Sequence, residues 1–322
     1  AKELRYNETK DLVSWKILNE FEIIEHYFKP KLLNNQYVPT LGIGDDAAVI
    51  SIEEGEELVV SMDTLVEGVH FLRDTSPGDI ASKSVLVNLS DMAAMGAAPR
   101  WITLSLTLPE NNIDWIKKFS SQFNNLAAKY SLLLIGGDLT KGPLSITIQM
   151  HGTVPKGRFL CRSGAKPGDL IYVTGELGAA AYTLRYFLNP DENLRPTDKE
   201  FQRLNQPEPR IKTGLEIRDI ATSCIDISDG LFADLNHILR ASNVGAEIKL
   251  SDIPYSKTLK KIDKDLAIDL ALTGGDDYEL CFTVPSHISQ SNLKKMITTI
   301  KVFQIGRINE FSLKLNLIDD DE

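Results

Sequence analysis

Asp45 and Asp46 stand side by side in LGIGDDAAVI (residues 41–50), behind Gly42 and Gly44 and ahead of an apolar run that reads as a strand. A turn uses one such side chain to satisfy its backbone, so the second charge asks for another role. A solvated hairpin tip is the plain alternative; a site for a hard cation is the chemical one. The pattern recurs along the chain. Asp63 stands in SMDTLVEGVHF, where a strand reads as ending, and Asp91 in VNLSDMAAMGA, on a helix with Asn88 three residues earlier on the same side. Asp138 follows Gly136 and Gly137; Asp226 and Asp229 flank Ser228; Asp276 and Asp277 follow Gly274 and Gly275. Singly, each reads as a turn or cap residue, and Ser228 or Asp229 suits the N-cap of a helix starting near Leu231. Together, carboxylates at strand ends with close glycines sit where α/β folds place their sites. Oxygen donors without His or Cys companions select Mg²⁺ over zinc. A cage of carboxylates around several magnesium ions suits phosphoryl transfer, where positioning and charge neutralisation supply most of the rate.

The usual nucleotide signatures are absent: no GxxxxGK[ST], no kinase catalytic loop, and no GxGxxG in a strand-to-helix turn. VTGELGAA (residues 173–180) has a strand–glycine–helix form that reads as a tight turn. A nucleotide is therefore expected to be held through its metals, with Arg162 and Lys141 as candidate direct phosphate contacts or, equally, surface charges. His70, just downstream of Asp63, can reach the same cleft or serve as a loop histidine; His26, His151, His237 and His287 read as structural. No GxSxG exists for a serine hydrolase, and no general base is placed.

The elements that must position these residues alternate. Ile24 and Phe28 follow Leu18 and Phe21 at helical spacing. A strand from Leu58 to Asp63 is followed by a helix opened by Pro77 and Asp79, a strand WITLSLTLP, and a helix with Ile116, Phe119, Phe123 and Leu126 on one face. LLLIGG and LSITIQMHGTV read as strands. Gly, Pro and basic residues rise after residue 155, which marks the expected boundary between domains 1–155 and 156–322. The second half reads as strand LIYVTG, helices AAAYTLRYFL and GLEIRDIA, strand SCIDI, helix LFADLNHILRAS, strand AEIKL, helix AIDLAL and strand YELCFTV. Interleaved helices and strands in both halves predict an α/β (α+β) fold of two layered domains. The 322 residues suffice for two cores. A formal net charge of −10 speaks against nucleic acid, and no apolar run reaches the roughly 18–20 residues of a membrane helix. The N-terminal residues read as no secretory signal. Cys161, Cys224 and Cys281 form no CxxC pair, so a reducing cytoplasm is expected, without disulfides or a thiolate zinc site.

In this order GIGDDAAV, DTLVEGVHF, NLSDMAAMGA, IGGDLTKGP, RSGAKPGD, PEPR, DISDGL and GGDDYEL resemble the thiamine-monophosphate kinase family, over nearly the whole chain. The wider group holds aminoimidazole-ribonucleotide synthetase, selenophosphate synthetase and the hydrogenase maturation ATPase. The resemblance implies phosphorylation of thiamine monophosphate by ATP, an N-terminal domain that dimerises through its sheet, and a site in the cleft between domains. It assigns magnesium to Asp46, Ser61, Met62, Asp63, Asp91, Asp138, Asp226 and Asp229. ATP falls to Gly137, Asp138, Arg162 and Ser228, and the substrate to His70 and Asp276. Asp45 then supports Asp46. Three departures stand out. Met62 replaces the family's usual Thr, leaving a backbone carbonyl in place of a hydroxyl. Asp276 stands where Glu is usual. SLKLNLIDDDE closes the chain without the aromatic tail that covers the thiamine ring. Selenophosphate synthetase would carry a reactive cysteine near its N-terminus and the hydrogenase factor one at its C-terminus, whereas the first and last here are Cys161 and Cys281. A magnesium–nucleotide sensor without turnover is a rival that an activity assay separates.

Overall fold

The computed structural model describes residues 20–29, 37–189 and 194–319. The expected first helix begins with Leu18, which lies outside them; α1 (Glu20–Ile23) runs into a π-helical turn (Ile24–Phe28). The first half continues as β1 (Glu56–Val66), α2 (Pro77–Ala94), β2 (Ala98–Leu108), α3 (Ile113–Lys129), β3 (Leu133–Lys141) and β4 (Ser145–Pro155). Its four described strands form one sheet in the order β1-β4-β2-β3. β2 and β3 are parallel, and the other pairs antiparallel. Apolar residues on the inner face of β2 and β4 meet Ile116, Phe119, Phe123 and Leu126 of α3, all buried. Asn112 caps α3 by accepting the Trp115 N–H, and Phe28 packs its ring on Phe119 and Phe123.

α2 is the axle of the molecule. Ser76 caps it by accepting the Asp79 N–H, and Pro77 fills the first turn, where no N–H is needed. The helix is buried almost all round, its polar Ser82, Lys83, Ser84, Asn88 and Ser90 included, so it is enclosed on nearly every side. It packs on β1 and β4, and on α5 (Asp198–Asn205), α6 (Ile211–Ile217) and β6 (Ser223–Asp226) of the second half. Before these come β5 (Leu170–Thr174) and α4 (Ala179–Leu188); after them α7 (Leu231–Ser242), β7 (Gly245–Lys249), α8 (Lys264–Thr273), β8 (Leu280–Val284), α9 (Gln290–Met296), β9 (Val302–Asn309) and β10 (Leu315–Ile318). The described strands of this half join in the order β10-β7-β9-β5-β8-β6, around a second core.

The layered α/β architecture matches the expectation, with corrections at element ends. β1 does not stop at Asp63 but runs to Val66, because β4 pairs with it along its whole length. Ala47–Ile50 is no strand: only an isolated bridge joins Leu41 to Val49. β3 continues through Gly136 and Gly137 to Lys141, held by β2. β8 begins at Leu280, since Tyr278 has φ +49°, incompatible with a strand. α5, α9, β9 and β10 were not read from the sequence, although Thr197 and Glu200 form a capping box at α5. Among the described residues no helix is long and apolar enough to cross a membrane.

Candidate functional site

Lys83, Val87 and Asp91 recur every four residues on α2 and line one side of a cavity of about 120 Å³ between the halves. β1 supplies Asp63, β6 its last residue Asp226, and the following loops Ser228, Asp276 and Tyr278. Alternation along β1 turns Ser61 and Asp63 toward α2, where the Ser61 hydroxyl donates to Asp91 Oδ2. Three carboxylates from three elements thus meet with little to neutralise them. Burial, and then the charge of Asp91, pushes Asp63 up to about 6. The same causes push Asp226, which is 6% exposed, up to about 7. Asp91 is raised by burial, offset in part by the Ser61 hydrogen bond and by the positive charge of Arg162. A core avoids such an arrangement, whereas a cation of matching hardness relieves it.

Asp276 does not extend freely into the cleft. Its Oδ2 accepts from Lys83 Nζ at 2.9 Å, and its Oδ1 from the Tyr278 hydroxyl at 3.1 Å. Lys83 also donates to the His70 carbonyl oxygen at 2.8 Å. The His70 ring accepts the Val66 N–H through Nδ1, which fixes its tautomer with the proton on Nε2.

Other expected residues lie elsewhere. Asp46, Gly137 and Asp138 line a larger cavity of about 960 Å³, with Asp45, Ile24, Phe28 and Leu134. The sheet explains the separation: Asp63 stands in one row with Ile148, Leu104 and Gly137, so Asp138 is one residue out of phase and faces the other side. Three strand spacings, about 14 Å, lie between the edge strands. Gly137 is required, because a Cβ at φ +156° would fall 1.9 Å from the Leu104 carbonyl oxygen. Asp45 Oδ1 accepts the Asp46 N–H at 2.8 Å, a local turn bond. The Met62 side chain projects from the opposite face of β1, 62% exposed. Neither Ser228 nor Asp229 caps α7, whose N-cap is Gly230 with no side-chain bond. Instead Asp234, inside α7, accepts both of their N–H groups at 3.0 Å and leaves their side chains free of that duty. Among the described residues, no group of three or more His, Cys, Asp or Glu side chains is placed to hold a metal ion. The carboxylate oxygens around Asp91 are hard donors of the kind magnesium takes.

Sequence reasoning missed two parts of this region. Lys83 went unread; its signal was the four-residue spacing to Val87 and Asp91. The turn at VTGELGAA is filled from within: Asp277 accepts the Gly178 N–H at 2.8 Å, at the N-terminus of α4. Glu279, 1% exposed, gathers Arg210 and Arg203 on its carboxylate, with the Thr174 hydroxyl.

Two family models match the chain: AIR synthase related protein, N-terminal domain, over residues 44–154, and its C-terminal domain over residues 166–315. The chain is 49% identical over 269 residues to the thiamine-monophosphate kinase of Escherichia coli, covering 83% of this chain and 82% of that one. It is 47% identical over 316 residues to the Buchnera aphidicola (subsp. Schizaphis graminum) thiamine-monophosphate kinase, covering 94% and 95%. Among solved structures it is similar to the thiamine-monophosphate kinase of Stenotrophomonas maltophilia, with TM-score 0.80, 43% identity, and 88% and 92% coverage. It is also similar to AaThiL complexed with AMPPCP and TMP, with TM-score 0.73, 30% identity, and 98% and 97% coverage.

Proposed function

The chain belongs to the thiamine-monophosphate kinase family of AIR synthase related proteins, and from that premise we propose direct phosphoryl transfer from ATP to thiamine monophosphate in its inter-domain cleft. As an enzyme it is a thiamine-phosphate kinase. The γ-phosphorus of ATP gains a bond to an oxygen of the acceptor phosphate and loses its bond to ADP, giving thiamine diphosphate. The observation that carries this reading is the meeting of Asp63, Asp91 and Asp226 from both halves, with two of them held near neutral pH by burial and mutual repulsion.

Asp63, Asp91 and Asp226, with Ser61, would hold magnesium between the halves, and Asp46 and Asp138 would serve the larger cavity. Bound there, the metal supplies charge neutralisation for two polyanions that otherwise repel by several kcal/mol at an effective dielectric of about 20. Cavities of roughly 300 Å³ or more accept drug-sized ligands. The 960 Å³ cavity, lined by Phe28, Leu134 and Gly137 among others, is therefore large enough for the nucleotide, whose γ-phosphate would extend from it to the aspartates of the cleft. At 120 Å³ the cleft has room for the reacting phosphate alone. Arg162 lies close enough to Asp91 to bring positive charge to that phosphate. A phosphate monoester has its second ionisation near pH 6, so its attacking oxygen is already anionic at neutral pH. No residue need act as general base.

A coupled ADP assay tests the reading. ADP should form only with both Mg²⁺ and thiamine monophosphate, with no phosphorylated protein on the way. Equal ADP release without the acceptor, or a stable phospho-enzyme, overturns it.

A further inference from the structure

His70 and Asp276, the two residues the family resemblance gives to the acceptor, come from different halves of the chain, and one side chain ties both. Lys83 Nζ, on a side chain 4% exposed, donates to the His70 carbonyl oxygen at 2.8 Å and to Asp276 Oδ2 at 2.9 Å. Asp276 in turn is fixed from behind. Its N–H donates to the Ser228 carbonyl oxygen at 2.9 Å, and the Tyr278 N–H to that of Ile227 at 2.8 Å. Asp276 and Tyr278 have φ of +67° and +49°, a left-handed pair that persists because these bonds hold it.

A lysine that only neutralised the half-buried Asp276 would not also need a carbonyl on another loop. The cavity residues include four carboxylates, Asp63, Asp91, Asp226 and Asp276, and Lys83 is the one Lys or Arg described among them. An ammonium carries three N–H donors. Two are engaged here, which leaves one for an anionic oxygen entering the cavity, where a charge-assisted bond is strong.

We propose that Lys83 is an acceptor-binding residue: it sets the His70 loop against Asp276 across the cleft and gives its third N–H to the acceptor's phosphate. The identity of that acceptor rests on the function proposed above, and the test separates the two. Binding is measured by calorimetry without ATP, using thiamine monophosphate and unphosphorylated thiamine as probes, on the wild type, Lys83→Met and Lys83→Gln. Thermal unfolding of each protein confirms that it is folded.

Wild type should bind thiamine monophosphate more tightly than thiamine. Lys83→Met should weaken thiamine monophosphate by about tenfold or more, equivalent to about 1.4 kcal/mol, and lose most of that preference. Lys83→Gln keeps an N–H donor without the charge and should fall between; it also carries the test if the Met variant does not fold. Unchanged affinity for thiamine monophosphate in a folded variant overturns the assignment. So does an equal loss for both probes, which would make Lys83 a support for the ring site alone. A wild type that binds thiamine monophosphate and turns it over, with folded variants that keep its affinity, defeats only the Lys83 assignment. A wild type that binds none defeats the function and the assignment together.

Discussion

Asp226 shows what a single residue contributes here. It ends β6, is buried, and lies in the field of Asp91. Asp226→Asn removes one charge at nearly constant volume. It should lower kcat by about 10²-fold or more, as loss of a preorganised electrostatic group does; near-full turnover at saturating Mg²⁺ would take Asp226 out of the site. The same residue sets a pH dependence. In the metal-free protein, burial and then Asp91 hold Asp226 near 7 and Asp63 near 6, while unfolded aspartates titrate near 3.9. Between about 4 and 7 the folded state therefore binds more protons than the unfolded one, and stability falls as pH rises through that window. Melting of the metal-free protein should shift downward from pH 5 to pH 8, and Mg²⁺ should recover more of it at pH 8 than at pH 5. A melting temperature that rises with pH across this range contradicts the buried cluster.

At the scale of elements, the turn between β5 and α4 is tied to α5, whose Arg203 donates to the Glu176 carbonyl oxygen at 2.9 Å. Asp277 takes the position at the N-terminus of α4 that an anion would otherwise fill, and burial holds it up to about 7. Two residues on, Glu279 receives Arg210 Nε at 2.6 Å and Arg203 at 3.1 Å. Gly175 makes room for it: at φ +62°, a Cβ would lie 2.1 Å from a Glu279 oxygen. Removing one partner of a buried pair leaves the others as uncompensated charges. Glu279→Ala should cost about 3–5 kcal/mol in urea unfolding; a loss below about 1 kcal/mol would show that water replaces the carboxylate.

For the whole molecule, β1 is an edge among the described strands, and its outer face exposes Leu58 at 40%, Val60 at 48% and Met62 at 62%. An apolar row on an unpaired edge invites association, and the family resemblance supplies a second copy as its cover. Light scattering should give twice the 35.8 kDa chain mass, and Val60→Asp should shift the distribution toward monomer. A wild-type monomer at micromolar concentration would count against that dimer.

The sequence by itself determined the alternating α/β order, most element centres, and the aspartates worth following, because periodicity and glycine–aspartate turns are local. α4 and α7 were legible to the residue from their apolar spacing. Element ends were not, since pairing partners set them: β4 carries β1 past Asp63, and the left-handed backbone at Tyr278 delays β8. Nor could spacing show that the aspartates divide. Strand order and side-chain phase across the first sheet put Asp138 beyond the reach of Asp63, while the packing of α2 against β6 brought Asp226 to Asp91. Lys83 was hidden for the same reason: its partner Asp276 lies 193 residues away. Burial between two halves is a property of how they pack, and it is burial that gives these carboxylates their raised pKa values and the lysine its pairing.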